Sequence, residues 1–499
     1  MNKVIKGFSF WLAHIMIPFL TKINRQVDPS MTSNTEKHIF AKQVLTDSGW
    51  ANDVLIKVDC NGVILELKPD TQLEADFSGL RLHGVIIPGL PNSHSHAFQW
   101  AMAGLGEISG KGGDSFWTWR QAMYGFVDAI QPEDLQAIAS ALYMQMLKAG
   151  YTSVGEFHYL HHDISGNLYA NPAEMSQRIF ESAKESGINL TLLPVFYRYS
   201  GFGDLAPNPG QKRFIHDQDA YANLLNKVLE ISEQYQQSFG IAPHSLRAVN
   251  SNDLEFAINH LNRLNDQAPI HIHIAEQMKE VNDCLDFHGK RPVEFLTEQF
   301  DINNRWCLVH ATHMTTEEIR RVAASKSVVA ICTTTEANLG DGFFPMLDYK
   351  QQQGRWSVGS DSHISVDAVE ELRWLEYQQR LSQQSRTVLA EKEFSSNGAW
   401  LWQQAATAGA QSLGQKTGAI RVGCQADFIE LNPDSLSLMG KEKDQLLDAF
   451  IFNHQFSNDV IRSVWAKGQC QVENGIHHNE DNIRKAYSKT INRLRQCIN

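Results

Sequence analysis

Short apolar runs separated by longer amphipathic stretches set the rhythm of this chain. Between residues 85 and 360 such runs recur at 85–88, 151–157, 189–196, 239–243, 269–274, 305–310, 327–332 and 356–360. Runs of this length, bounded by Gly, Pro or polar clusters, read as buried strands. Helical periodicity fills most of the gaps. The clearest case, 132–147, opens on Pro132 with Glu133 and Asp134 in its first turn, and Gly150 follows its end; these are helix start and stop signals. Eight strands alternating with helices predict an α/β fold, a (β/α)8 TIM-like barrel, whose chemistry would sit at the C-terminal strand ends.

The two ends of the chain have another texture. Residues 38–87 alternate apolar and polar positions around an Asn61-Gly62 turn, and similar patterning returns at 423–431 and 460–466. This predicts a small β-sandwich domain, of antiparallel strands, built from 38–87 plus 415–475 around a catalytic barrel of 88–414. Residues 1–37 read as an N-terminal extension and 476–499 as a C-terminal helix or tail, basic and solvated over 481–494.

The apolar run 8–20 follows Lys3 and Lys6 as in a signal peptide, but no small-x-small cleavage site follows, and the run contains His14 and Pro18. It is too short for a stable membrane span. The expectation is an upstream extension that ends near Met31, with a peripheral amphipathic anchor as the lesser alternative. The chain of 499 residues, 42% hydrophobic and 20% charged, suits one large domain with a smaller companion. A formal net charge of −12 argues against nucleic acid as a partner. Seven cysteines without a CxxC pair point to a reducing, cytoplasmic compartment.

Candidate chemistry gathers at the predicted strand ends. His94 and His96 stand at i and i+2, a spacing that aims both side chains of an extended segment to one side. The fifth strand carries His271 and His273 with Glu276 beyond, the sixth ends at His310, and the eighth runs into Gly359-Ser-Asp-Ser-His363. Imidazoles and a carboxylate from distant segments suit a divalent metal. Taken singly, His271 or His273 would also serve as a satisfied core histidine and Asp361 as a helix cap. No lysine lies in 189–198 or 239–247 to bridge a metal pair, so one ion is expected. The glycine-rich loop Ser109–Gly113 lacks the pattern of a phosphate loop. Neighbouring Ser362 and His363 are not expected to form a nucleophile pair, nor His158, His161 and His162 a second metal site. Trp117 and Trp119 read as packing.

Several longer stretches carry a resemblance. Asn92-Ser-His-Ser-His-Ala-Phe-Gln99, Gly113-Asp-Ser-Phe-Trp-Thr-Trp-Arg120, Gly155-Glu-Phe-His-Tyr-Leu-His161 and Pro243-His-Ser-Leu-Arg-Ala248 are four of them. His271-Ile-His-Ile-Ala-Glu-Gln277, Val309-His-Ala-Thr-His313, Thr335-Glu-Ala-Asn-Leu-Gly-Asp-Gly342 and Glu371-Leu-Arg-Trp-Leu-Glu-Tyr377 are others. Over about 38–475 the chain resembles the amidohydrolase superfamily and, within it, the formimidoylglutamate deiminases of histidine degradation. Trp100 and Thr333 depart from the pattern, where Arg and Pro would be expected. The resemblance implies one Zn²⁺ per chain, or another divalent metal, on His94, His96, His273 and Asp361. It implies catalytic roles for Glu276, His310 and Asp361, and a small dianionic substrate held by Gln99, Arg120, Tyr159, His244 and Arg247. It also implies a homodimer. The implied reaction is hydrolytic deimination of N-formimidoyl-L-glutamate to N-formyl-L-glutamate and ammonia; the alternative is a zinc deaminase of a purine- or pterin-like base. Planar guanidinium forks suit two carboxylates, although either arginine would also serve in a structural ion pair.

Overall fold

The computed structural model describes residues 36–107, 116–390, 396–453 and 459–498. The expectations for the first 30 residues and for the 109–113 loop lie outside them. The described chain opens with strands β1 (Lys37–Thr46), β2 (Gly49–Val58), β3 (Ile64–Lys68) and β4 (Leu80–Pro88). In β2 the buried side chains are Val54, Ile56 and Val58, the period-two face read from the pattern. At the β2–β3 turn the Asp59 carboxylate accepts from the Asn61 and Val63 amides at 2.9 and 2.8 Å. Gly62 sits there at φ +82°, and a Cβ would stand 2.2 Å from the Lys467 carbonyl oxygen, so the position requires glycine. One expectation is corrected here: β1 pairs antiparallel with β2 but parallel with β4. The β2–β3 hairpin and the loop to Leu80 supply the crossover that a parallel pair needs.

A second correction concerns 85–88, which lies in β4 and not in the barrel. The barrel starts after Gly89 with β5 (Leu90–Ser95), followed by β6 (Tyr151–His158) and β7 (Asn189–Phe196). The next strand position is broken into β8 (Ser238–Phe239) and β9 (Ala242–Pro243), both paired with β7. Then come β10 (Ile270–Ile274), β11 (Trp306–His310), β12 (Val328–Ile331) and β13 (Arg355–Val358), all parallel. Two short bridges join these sets into a ring of eight strand positions. Ile241 accepts from the His271 amide at 2.9 Å and donates to the Pro269 carbonyl at 3.0 Å. The Asp361 amide donates to the His94 carbonyl at 3.0 Å, and the His96 amide donates to the Asp361 carbonyl at 3.2 Å. Strands β5, β6, β7, β10 and β11 are buried along their whole length, as helix-covered parallel strands are. Outer helices begin where side chains cap them: Asp217, Asn250, Thr315, Asp367 and Ser396 each accept from a first-turn amide.

The chain then returns to its first sheet through β14 (Phe428–Leu431), β15 (Ile461–Ala466), β16 (Gln469–Glu473) and β17 (Ile476–His477). The strands from both ends form one continuous hydrogen-bonded path of eight strands, β17-β16-β15-β14-β4-β1-β2-β3, so the small β domain is built from both chain ends as expected. The C-terminal helix Glu480–Ile498 keeps most of its charged residues in solvent, as expected, and docks by one inner face. Ile483, Tyr487, Thr490 and Leu494 share its inner face, Tyr487 stacks on Trp100 at 4.9 Å, and Arg493 pairs with Asp134. A narrow apolar stripe among charges is enough to bury one helix face. No helix among the described residues is long and apolar enough to cross a membrane.

Glu371 is buried and accepts from Thr333 Oγ1 at 2.7 Å, from the Thr334 amide at 3.1 Å and from Thr334 Oγ1. Burial pushes its pKa up to about 8, against the pull of those donors. An acid whose pKa rises on folding stabilises the protein fully below its unfolded value, near 4.3, and loses that contribution as pH climbs through its folded value. The denaturation midpoint is therefore expected to fall between about pH 5 and pH 9. Glu371→Gln should flatten that fall, as urea titrations across the window would report.

Candidate metal centre and active site

The ring-closing hydrogen bonds also build the site. His94 ends β5 one residue before Ser95, His96 follows the strand, His273 sits in β10, and Asp361 lies just past β13. Because Asp361 exchanges both backbone bonds with the His94–His96 segment, its carboxylate is delivered against their imidazoles. Asp361 Oδ1 lies 3.4 Å from His94 Nε2 and 3.2 Å from His96 Nε2, and the Nε2 atoms of His94 and His273 are 3.0 Å apart. All four donor atoms lie within 4.8 Å of one another in a buried cluster. Four ligands set tetrahedrally around zinc at 2.0–2.1 Å would stand about 3.3 Å apart, so the residues fit such an ion.

Outer hydrogen bonds orient the donors. His96 Nδ1 donates to the Phe157 carbonyl at 2.9 Å, and His273 Nδ1 donates to the His244 carbonyl at 3.2 Å. A carbonyl only accepts, so each proton is on Nδ1 and each Nε2 lone pair faces the centre. Burial, with His96 adding to it, pushes His94 down to about 3, and burial also holds His273 well below its usual value. Neutral imidazoles of this kind are what a metal needs. Burial alone would raise the Asp361 carboxyl, but His94 and His96 hold it well below the usual range. Behind the cluster, a Cβ on Gly359 would stand 2.7 Å from His94 Cβ. Gly359→Ala is expected to displace His94, to destabilise the protein by about 1–3 kcal/mol and to lower metal content, measured by elemental analysis beside a melting curve.

The residues expected to act as acid and base stand next to this His/Asp cluster. His310 Nε2 lies 3.8 Å from Glu276 Oε1 and 3.7 Å from Asp361 Oδ2. Its Nδ1 donates to Glu336 Oε1 at 3.3 Å. Burial disfavours charge on His310, yet Glu276, Glu336 and Asp361 together push it up to about 10. Burial raises the Glu276 carboxyl. Ala275, His310, Ala311, Asp361 and His363 all have positive φ, from 45° to 66°. Left-handed residues other than glycine cost about 1–3 kcal/mol each and concentrate where side chains must be aimed.

A cleft of about 550 Å³, counting the solvent at its mouth, opens over this cluster. Gln99, Arg120, Tyr159, His244 and Arg247 all line it, together with Glu276, His310 and Asp361. Every expected site residue lines this space except His94, which is buried in the cluster beneath it. Sequence reasoning did not find Tyr197, whose hydroxyl accepts from Arg120 Nη2 at 2.7 Å, nor Tyr124 and Phe214 on the wall. Tyr197 directly follows a predicted strand, a signal that the strand-end rule could have used.

Several residues weighed against the site have local partners. His271 Nε2 donates to the Ser412 carbonyl at 2.7 Å, as a core histidine. His161 and His162 donate to the Val195 and Ile215 carbonyls, and His158, His161 and His162 form no metal-type group among the described residues. The His363 ring bonds Ser360 and Ser95, not Ser362. Trp100 faces Tyr487 and does not line the cleft, while Thr333 bonds Glu371. The side chains of Trp117 and Trp119 lie outside the described residues.

Comparisons with known proteins converge on one group. Residues 85–470 match the model of the amidohydrolase family, and residues 36–77 match that of the N-terminal domain of formimidoylglutamate deiminase. The chain is 44% identical over 458 residues to formimidoylglutamate deiminase of Pseudomonas aeruginosa, spanning 91% of this chain and 99% of that one. It is 24% identical to a 5-methylthioadenosine/S-adenosylhomocysteine deaminase of Haloquadratum walsbyi, over 70% of this chain and 72% of that one. Among solved structures, an amidohydrolase from Brucella melitensis superposes with a TM-score of 0.85 at 42% identity, covering 92% of this chain and 99% of that one. An atrazine chlorohydrolase from Arthrobacter aurescens, complexed with zinc, shares the fold at a TM-score of 0.75 and 19% identity, over 91% of this chain and 100% of that one.

Proposed function

Because the chain belongs to the amidohydrolase family, a family of metal-dependent hydrolases, we propose that it deiminates N-formimidoyl-L-glutamate in the cytoplasm. In that reaction water adds to the formimidoyl carbon, the C–NH₂ bond breaks, and N-formyl-L-glutamate and ammonia leave. His94, His96, His273 and Asp361 would hold one zinc ion. When bound there, zinc supplies Lewis acidity and lowers the pKa of water from 15.7 to about 7, which provides a nucleophile at neutral pH.

This chain's own groups do the rest. Asp361 Oδ2, facing His310 across 3.7 Å, takes the proton of the attacking water. Glu276, whose pKa burial raises, carries a proton to the departing nitrogen. His310 donates to the charge that builds at the reacting carbon's substituents. Arg120 and Arg247 take the two carboxylates, and Gln99, Tyr159 and His244 orient the chain between them.

The observation that carries this reading is the pair of guanidinium groups on the wall that also presents Glu276, His310 and Asp361. A purine or pterin base offers no carboxylates for them. The test is ammonia release from N-formimidoyl-L-glutamate beside S-adenosylhomocysteine, with and without a chelator. Chelator-sensitive release from the first substrate alone is expected. Turnover of the nucleoside in its place would overturn the assignment.

A further inference from the structure

We propose that Glu336 is a positioning residue: its carboxylate holds His310 by Nδ1 and so aims Nε2 at the reacting centre. The inference rests on the reading of His310 as a group that acts on substrate. Glu336 belongs to the Thr335-Glu-Ala-Asn-Leu-Gly-Asp-Gly342 stretch, to which no function has so far been attached, and stands on the helix Thr333–Leu339 that follows β12. It is 1% exposed and does not line the cleft, so substrate does not reach it.

Its contacts are few for a buried acid. Oε1 accepts from His310 Nδ1 at 3.3 Å and from the Cys332 amide at 2.9 Å. Oε2 is buried and has no hydrogen-bond partner among the described residues. A buried carboxylate left half-satisfied is costly unless a specific partner compensates it. The partner here is an imidazole at the end of β11 whose backbone is itself held at φ +66°. Carboxylate, imidazole and cleft therefore lie in line. With Nδ1 committed to Glu336, only Nε2 can meet Glu276, Asp361 and a ligand. This is the orienting role that a buried acid plays behind a working histidine in other hydrolases. The Cys332 bond and the Glu336 backbone carbonyl, which accepts from Asp341, describe a rival role as a local brace.

Glu336→Gln separates the two roles, because the amide oxygen keeps the Cys332 bond and the volume but removes the charge from Nδ1. The expected result is a kcat lowered by about 10- to 100-fold with KM within about threefold, and zinc content unchanged. Glu336→Asp should recover part of the rate. The downfield exchangeable proton of a carboxylate-bound imidazole, assigned by its absence in His310→Asn, should vanish in Glu336→Gln. Adding Glu336→Gln to His310→Asn should cost little more than His310→Asn alone, since the two act as one unit. If His310→Asn left kcat unchanged, the reading of His310 would fall first. If His310→Asn were slow while Glu336→Gln ran at the parent rate, or lost zinc in proportion to activity, the positioning role alone would be overturned.

Discussion

Asp361→Asn is expected to lower ammonia release by about 10⁴-fold, the scale seen when one member of a concerted catalytic unit is removed. The substitution keeps the shape of the side chain and leaves intact the two backbone bonds that close the ring onto His94 and His96. It removes the negative charge that faces three imidazoles, at 3.2 Å from His96, 3.4 Å from His94 and 3.7 Å from His310. Two deficits should follow, and they are separable. Zinc per chain, read by elemental analysis, should drop because a charged ligand has become neutral. Protein reloaded with excess zinc should recover metal but not rate, because the amide cannot accept the water's proton. A reloaded variant within tenfold of the parent would leave Asp361 a ligand and nothing more.

Much of this site was legible because its chemistry sits at repeating places. The spacing of His94 and His96 is a weak sign by itself, and it gains weight only because His273, His310 and Asp361 stand at the ends of other apolar runs. What local pattern cannot carry is pairing between distant segments. The run at 85–88 looks continuous with His94 and His96, yet it belongs to a sheet whose partner strand, β14, lies more than three hundred residues on. The parallel β1–β4 pair and the docking of the C-terminal helix on Trp100 and Asp134 are unreadable for the same reason. Arg120 and Arg247 are ordinary surface-type residues in isolation, and only the motifs around them set them apart. Glu336 is the hardest case. One acid among threonines and alanine on a short helix reads as a solvated position, and only the fold reveals that it is buried against His310.

The second large effect concerns binding of charge. Each guanidinium–carboxylate contact contributes about 1.5–3 kcal/mol. Arg120→Ala with Arg247→Ala is therefore expected to lower kcat/KM for N-formimidoyl-L-glutamate by about 10²- to 10⁴-fold, at roughly 1.36 kcal/mol per decade. Zinc content should not change, since neither arginine is among the metal-type donors. Arg120 also donates to Tyr197 OH at 2.7 Å, so its loss releases a second wall residue. Arg120→Lys is the control that keeps the charge but loses the planar fork. The decisive comparison varies the substrate as well. Against the parent enzyme, amidating either carboxylate should slow the reaction sharply. Against Arg120→Ala, amidating one of the two should make little further difference, and against Arg247→Ala the other. That crossed pattern would assign each arginine its carboxylate. If both single variants discriminated between diacid and monoamides as strongly as the parent, the guanidinium groups would be structural, and recognition of the dianion would have to reside elsewhere in the cleft.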